Sequence, residues 1–253
     1  MERLDKLLCS QSTCTRSEAG RTIRSGRVTV DGAVCRDPAK KIDPAAVTIA
    51  VDGRPLNYAA HVYLMLNKPA GVLCVSRDPK AQTVIDLLPE EYRRRGLFPA
   101  GRLDKDTHGL TLITDDGELA HAMLSPRRHV YKRYLARLDK PLSDEAAAAF
   151  RAGPTLADGT RCRPAGVTVL EEGNQPLVAV AICEGKFHQI KRMFLAVGCT
   201  VIWLKRAAMG GLELDETLPE GACRSLSEKE KLSIFTEKPE WILTAFPACI
   251  KNG

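Results

Sequence analysis

The 253-residue chain has no run of eighteen or more apolar residues, so no membrane-spanning helix is expected. Its first residues, MERLDKLLCSQ, lack the long apolar core of a signal peptide, which points to the cytoplasm. Nine cysteines are present (Cys9, Cys14, Cys35, Cys74, Cys162, Cys183, Cys199, Cys223 and Cys249), yet no pair has the C-x-x-C spacing of a zinc knuckle or redox site. An odd count in a chain long enough to build a core predicts buried, reduced thiols. There is no Gly-rich dinucleotide loop, no twelve-residue calcium loop and no cluster of metal ligands, so neither a cofactor nor a metal is expected. No internal repeat is visible.

What is present fits a globular protein. Hydrophobic residues make up 44% of the chain, and 37 Lys and Arg against 31 Asp and Glu leave a net charge of +6. That excess permits a polyanionic partner without demanding one, and its distribution matters more than its total. Residues 1–59 read as a separate module. Leu4, Leu7 and Leu8 recur at helical spacing. Thr15 and Glu18 form a capping-box pair that opens a second helix, and Gly26 stands where that helix should stop. RVTVDG and VTIAVDG each alternate into a short strand and an Asp-Gly turn. Between residues 16 and 41, Arg16, Arg21, Arg24, Arg27, Arg36, Lys40 and Lys41 face only Glu18, Asp31 and Asp37. Arg21 and Arg24 share a helix face, as do Arg3 and Lys6 on the first helix. A solvated surface explains any one such pair; a basic face repeated across a small module suits phosphates.

After the short linker NYAAH, residues 60–236 form the main body. VYLMLNKPAGVLCV reads as strand, Lys-Pro-x-Gly turn and second strand; QTVIDLLP as a short helix; TLITDDGELAHAML as strand, turn and helix. HVYKRYLARL alternates as a strand and SDEAAAAFRAG is a helix closed by glycine. AGVTVLEE and PLVAVAICEG are paired strands. KFHQIKRMFLAVG is a helix with Ile190, Met193, Phe194 and Val197 on one stripe, and TVIWLKRAAMGGLEL is extended again. SLSEKEKLSIF makes a last helix. Strands outnumber helices without regular alternation, so the class is α+β with mainly antiparallel sheet. The tail, 237–253, has no clear pattern.

Three stretches carry candidate chemistry. GRLDKDTHGL holds Asp104 and Asp106. On spacing alone Asp104 is as readily a surface turn paired with Arg102 as a reactive group. A glycosidase-like pair of Asp104 and Asp106 would need a particular loop shape. Asp115 and Asp116 fit a turn or helix start. EGKFHQIKRM sets Lys186, His188, Lys191 and Arg192 at the start of an amphipathic helix. Cations there oppose the helix dipole, which calls for a compensating carboxylate or phosphate. RRHVYKRYLARL interleaves Arg127, Arg128, Lys132, Arg133 and Arg137 with Tyr131 and Tyr134; Lys132 and Tyr134 fall on one strand face. Basic residues beside an aromatic suit a nucleobase, though a core tyrosine among solvated charges reads equally well.

The first module resembles the S4 RNA-binding domain through RLDKLL, TRSEAGRTIRSG and VTVDG. LNKPAGVLC, GRLDKDTHGLTLITDDGELAH, KRYL and EGKFHQIKRM resemble the ordered motifs of RNA pseudouridine synthases. With the S4-like module in front, the chain is similar to the small-subunit rRNA pseudouridine synthase A family over residues 1–235. GRLD, in place of HRLD, favours this branch over the large-subunit synthase A branch, and SPRRH and GKFHQIKRMF lean toward the member acting on 16S rRNA. The resemblance implies an α+β fold: a small N-terminal S4-like module, then a mainly antiparallel mixed-sheet catalytic domain with flanking helices. It implies that Asp104 is the catalytic aspartate, that Arg102 helps displace the flipped base, that Tyr134 stacks on the uracil, and that Lys191 pairs with Asp104. RNA contacts are then expected from Arg3, Lys6, Arg16, Arg21, Arg24, Arg27, Lys68, Arg128, Lys132, His188 and Arg192. The partner is ribosomal RNA or a pre-ribosomal small subunit, with uridine 516 of 16S rRNA the implied target and a monomer expected. The rivals are the same reaction on 23S rRNA, an N-glycosidase, and a non-catalytic ribosome-assembly protein.

Overall fold

The structure, a computed structural model, describes residues 1–236 and 239 except 13, 57, 93–95, 126, 127 and 129. The 237–253 tail and Arg127 therefore lie outside the described residues, Pro239 apart. The chain divides into two compact units, one of Met1–Val62 with Leu88–Leu97, the other of Tyr63–Leu87 with the rest.

The first unit forms because its few apolar residues recur at the right intervals. Helices Leu4–Ser10 and Arg16–Arg24 bury Leu4, Leu7, Leu8, Ala19 and Ile23 against Val28, Val30, Ile42 and Ile49. The Thr15–Glu18 capping box closes at both ends, satisfying two backbone donors that the helix would otherwise leave orphaned. Asp31-Gly32 and Asp52-Gly53 both have positive φ at both residues and connect neighbouring antiparallel strands. That is the tight primed hairpin, whose twist matches the strands it joins. These hairpins build a four-stranded sheet of Ala33–Val34, Val28–Val30, Ile49–Val51 and Arg54–Pro55.

In the second unit a nine-stranded sheet runs in the order Gly166–Glu171, Leu177–Ile182, Lys132–Leu138, Val201–Met209, His108–Thr114, Tyr63–Lys68, Cys223–Ser225, with Leu212–Glu213 and Phe98–Ala100 paired alongside. Within this sheet the strands pair antiparallel except where Val201–Met209 meets His108–Thr114. That parallel contact depends on Gly109. Its φ is +100°, and a Cβ there would sit 2.3 Å from the Arg206 carbonyl oxygen. Helices Asp144–Ala152 and Gln189–Ala196 cover one face: Phe150, Ile190, Met193 and Phe194 bury against Ala136, Val178, Val180, Ile182 and Leu204. The Phe150 and Phe194 rings meet at 4.7 Å, and burying each contributes about 1.5–3 kcal/mol. Helix Gly117–Leu124 packs Ala120 and Met123 against Met65, Leu110 and Leu112.

Two sequence expectations are corrected. QTVIDLLP is a series of turns, not a helix: Thr83 is held extended in a bridge to Leu73, with Leu73 N–H on the Gln82 carbonyl and Val84 N–H on the Leu73 carbonyl, and Pro89 follows too soon for a helix to run on. The strand expected after the Lys-Pro-x-Gly turn reduces to a single bridge between Leu73 and Thr83. Asp116 caps helix Gly117–Leu124 through the Leu119 N–H and accepts from the Tyr63 hydroxyl at 2.6 Å, which accounts for it structurally.

Inside the first unit, the buried Asp5 accepts a two-point contact from Arg3 (2.7 and 3.1 Å) and a third from Arg16 (3.4 Å). The hydrogen bonds from Arg3 above all, with those of Arg16, hold the Asp5 carboxyl down at about 2 despite burial. A depressed folded-state value means stability that is present above the ordinary carboxylate range and lost as pH falls toward 2. Amide protection factors in Leu4–Ser10 and Arg16–Arg24 should therefore fall between pH 4 and 2 in the native chain, and much less steeply in Asp5→Asn.

Candidate active site

The stretch GRLDKDT is a loop between strands Phe98–Ala100 and His108–Thr114. Leu103 is buried in the main core, and the Thr107 N–H closes a turn on the Asp104 carbonyl at 3.1 Å. Beneath this turn lies Lys68, at the end of strand Tyr63–Lys68 and 0% exposed. Its ammonium donates to three backbone carbonyls: Pro69 (3.0 Å), Lys105 (3.1 Å) and Thr107 (2.9 Å). The Lys105 carbonyl also accepts from the Gly71 N–H at 2.8 Å. All three ammonium donors are thereby used, and burial pushes the Lys68 ammonium below its ordinary range. The expectation that Lys68 meets RNA is corrected: it is an internal clamp on the loop that carries Asp104 and Asp106.

Around the loop's outer side, charge is tightly shared. The Lys191 ammonium lies 3.3 Å from one Asp104 oxygen and 2.5 Å from Asp106, while His188 Nε2 is 3.6 Å from the other Asp104 oxygen. The Asp104 side chain is 25% exposed and that of Asp106 72%. The hydrogen bond from Lys191 holds the Asp106 carboxyl below its ordinary range. These carboxylates are the partners that a cation in the first turn of helix Gln189–Ala196 requires. His188, the N-cap, is in the left-handed region (φ 49°).

Asp104, Arg102, Thr107, Tyr134, Lys186 and His188 line one cavity of about 80 Å³, floored by Ile182, Ile190 and Leu204. Strand Lys132–Leu138 alternates buried and half-buried residues, and Tyr134, 9% exposed, stands on its buried face opposite Arg206. The folded chain thus brings Asp104, Arg102, Tyr134, Lys191 and His188 together. An anionic oxygen, two cations, an imidazole and an aromatic wall beside an apolar floor can hold a planar, uncharged ring against a carboxylate. Among the described residues, no group of three or more His, Cys, Asp or Glu is placed to hold a metal ion.

The other expected RNA contacts are more dispersed. Lys132 shares the inward face of Tyr134 and is only 8% exposed; burial, then the nearby Arg206, lower its ammonium to about 8. A phosphate cannot reach it from solvent, so that expectation is also corrected. Arg206, read from the sequence only as part of an extended strand, is buried. Its Nε donates to the Leu110 carbonyl at 2.8 Å, and its Nη2 has no hydrogen-bond partner among the described residues. Arg192 pairs with Asp158, Arg27 with Asp52, and Arg128 lies over the Phe235 ring at 5.5 Å. Lys6, Arg21 and Arg24 are exposed on the first unit. Sequence reading passed over Phe187, whose ring stacks on His188 and is 73% exposed; its only signal was an aromatic between two cationic residues.

Comparison with known proteins agrees with this architecture. Residues 62–196 match the family described as RNA pseudouridylate synthase, and residues 2–47 match the S4 domain. The chain is 44% identical over 234 residues to ribosomal small subunit pseudouridine synthase A of Escherichia coli (strain K12), covering 92% of this chain and 99% of that one. It is 41% identical over 229 residues to an uncharacterised RNA pseudouridine synthase of Bacillus subtilis (strain 168), covering 90% and 96%. A solved structure described as a pseudouridylate synthase matches with TM-score 0.63 at 34% identity, covering 92% of this chain and all of that one.

The Lys68 clamp makes a separable prediction. Lys68→Met would strip the Pro69 and Thr107 carbonyls of the ammonium and leave the Lys105 carbonyl with the Gly71 N–H alone, each buried carbonyl left without a donor costing about 1–3 kcal/mol. Thermal unfolding should show a loss on the order of 3 kcal/mol. Lys68→Arg, too bulky for the same three contacts, should recover only part of it.

Proposed function

The chain belongs to the RNA pseudouridylate synthase family, and from that premise we propose that it converts uridine 516 of 16S ribosomal RNA to pseudouridine through the carboxylate of Asp104. The observation that carries this reading is the placement of Asp104 beside Tyr134 in one cavity, gripped from outside by Lys191 and His188. Ribosomal RNA as substrate rests on the relatives named ribosomal small subunit pseudouridine synthase A, which match across nearly their whole length. The S4 match and the exposed Lys6, Arg21 and Arg24 support an RNA partner bound in part by the first unit.

In this reading the uridine leaves its stack, at a cost of a few kcal/mol, and its base enters the cavity against Tyr134. The N1–C1′ bond breaks, the uracil turns, and C5 bonds to C1′. C5 gives up its proton and N1 gains one, so no atom is gained or lost overall. Asp104 serves either as nucleophile at C1′ or as the base that removes the 2′ proton to give a glycal; the two routes share the same carboxylate position. Lys191 at 3.3 Å attracts that carboxylate by about 5 kcal/mol at an effective dielectric near 20, before desolvation is counted. Asp106, nearer to Lys191, keeps the ammonium between the two carboxylates. Arg102, at the rim of the same cavity, fills the place of the extruded base.

Asp104→Asn should fold and bind RNA as the native chain does while releasing no tritium from C5-tritiated uridine in 16S rRNA; tritium release at the native rate would end the assignment. Mapping pseudouridines in rRNA from cells with and without the protein decides the target. A change in 23S rRNA alone would move the reading to that substrate. Arg21→Glu combined with Arg24→Glu should weaken RNA binding at least about tenfold at low salt and flatten its salt dependence, because phosphate contacts act through released counterions. Filter binding across a salt series checks both.

A further inference from the structure

We propose that the exposed ring of Phe187 is a stacking platform for the unpaired nucleobase next to the target uridine, a second base-binding position at the edge of the Asp104 cavity. The proposal rests on the RNA substrate argued above and adds to it how the flanking nucleotide is held.

Phe187 is a large aromatic at 73% exposure in a segment whose neighbours Ile190, Met193 and Phe194 turn into the core. Its ring lies on the His188 imidazole at 3.8 Å between centroids and 17° between planes. With one side of the ring against the imidazole and most of the residue exposed, an aromatic face is left to solvent. The turn presenting it is locked at several points. The Lys186 N–H donates to Gln189 Oε1 at 2.8 Å, the Gln189 N–H to the Lys186 carbonyl at 3.2 Å, and Arg192 Nη1 to the Phe187 carbonyl at 3.3 Å. His188 meanwhile holds a left-handed backbone, uncommon for residues other than glycine though histidine is among those that adopt it more readily. A sterically disfavoured conformation that persists under so many contacts, next to a candidate site, is the pattern of a ligand clamp.

The position selects the ligand. His188 Nε2 is 3.6 Å from Asp104, so the platform stands one residue from the proposed reacting carboxylate. Flipping a uridine out of its strand removes a stacking partner from each neighbouring base. Those neighbours are tethered to the target, and a rigid ring at the rim replaces the stack that was lost. The exposed Arg102 lines the same cavity as His188, while Lys186, next to the ring in sequence, pairs with Glu184 and Arg192 with Asp158. An aromatic face beside cations suits a nucleotide: ring to ring, phosphate to cation.

The test uses the full chain and an rRNA fragment carrying the target uridine, with the nucleotide on its 5′ or its 3′ side made abasic or replaced by 2-aminopurine. Phe187→Ala should lower affinity roughly 5- to 150-fold, the range expected for one lost base–aromatic stack. Phe187→Leu, which keeps apolar bulk without a π face, should lose nearly as much, and Phe187→Trp should bind as the native chain does. Making the correct neighbour abasic should weaken the native chain similarly but cost Phe187→Ala little further, and 2-aminopurine there should be quenched by the native chain and not by the alanine variant. Native affinity in Phe187→Ala, native affinity in Phe187→Leu, or losses from the variant and the abasic site that simply multiply would each overturn the platform. Tritium release from the target is scored separately. Its absence with the native chain would refute the functional reading, while the quenching and affinity comparisons would still decide whether Phe187 stacks on a base.

Discussion

An ammonium with no route to water lies under the loop that matters most. Lys68 is wholly buried at the end of a core strand and uses all three of its donors on the carbonyls of Pro69, Lys105 and Thr107. A buried cation is expensive unless its hydrogen bonds are complete, and a loop carrying two carboxylates side by side is inclined to splay. Each difficulty offsets the other: the carbonyls solvate the ammonium, and the ammonium ties residues 105 and 107 to the strand. Asp104, between that anchor and the buried Leu103, is left with little freedom except in its side chain.

The same separation of inner and outer cations organises the rest of the site. Lys68, Lys132 and Arg206 lie inside, where burial lowers both lysines and leaves one guanidinium nitrogen without a partner among the described residues. Lys191 and His188 lie outside, within 3.3 and 3.6 Å of Asp104. The inner group shapes the loop and the sheet; the outer group holds the Asp104 carboxylate, and of its two members His188 lines the cavity. Asp106 has its own part in this arrangement, since it takes the shorter contact to Lys191 and keeps that ammonium from collapsing wholly onto Asp104.

Much of the local structure was legible in the residues. Thr15 with Glu18, and each Asp-Gly pair, acts on backbone groups two or three residues away, so their turns and caps follow from sequence spacing alone. The alternation in KRYLARL likewise set Lys132 and Tyr134 on one face. QTVIDLLP misled because its helical apolar spacing competes with a bridge from Thr83 to Leu73, a pairing partner ten residues away, and with Pro89 close behind. Lys68 and Lys132 misled for a different reason. Long cationic side chains are ordinarily solvated, and nothing in the flanking residues announces that a strand will carry one into the interior.

The sequence by itself determined the α+β class, the capped helix starts and hairpins, and the family to which the motifs belong. Each of these depends on residues close together along the chain. Tertiary structure alone decided which cations face the cavity and which are buried beneath it, that Lys191 is shared between Asp104 and Asp106, and that the Phe187 ring stays in solvent. Those outcomes join positions 39 to 96 residues apart, such as Lys68 with Thr107, Asp106 with Lys191 and Leu110 with Arg206. Their distances are set by sheet register and helix packing, which local spacing does not encode.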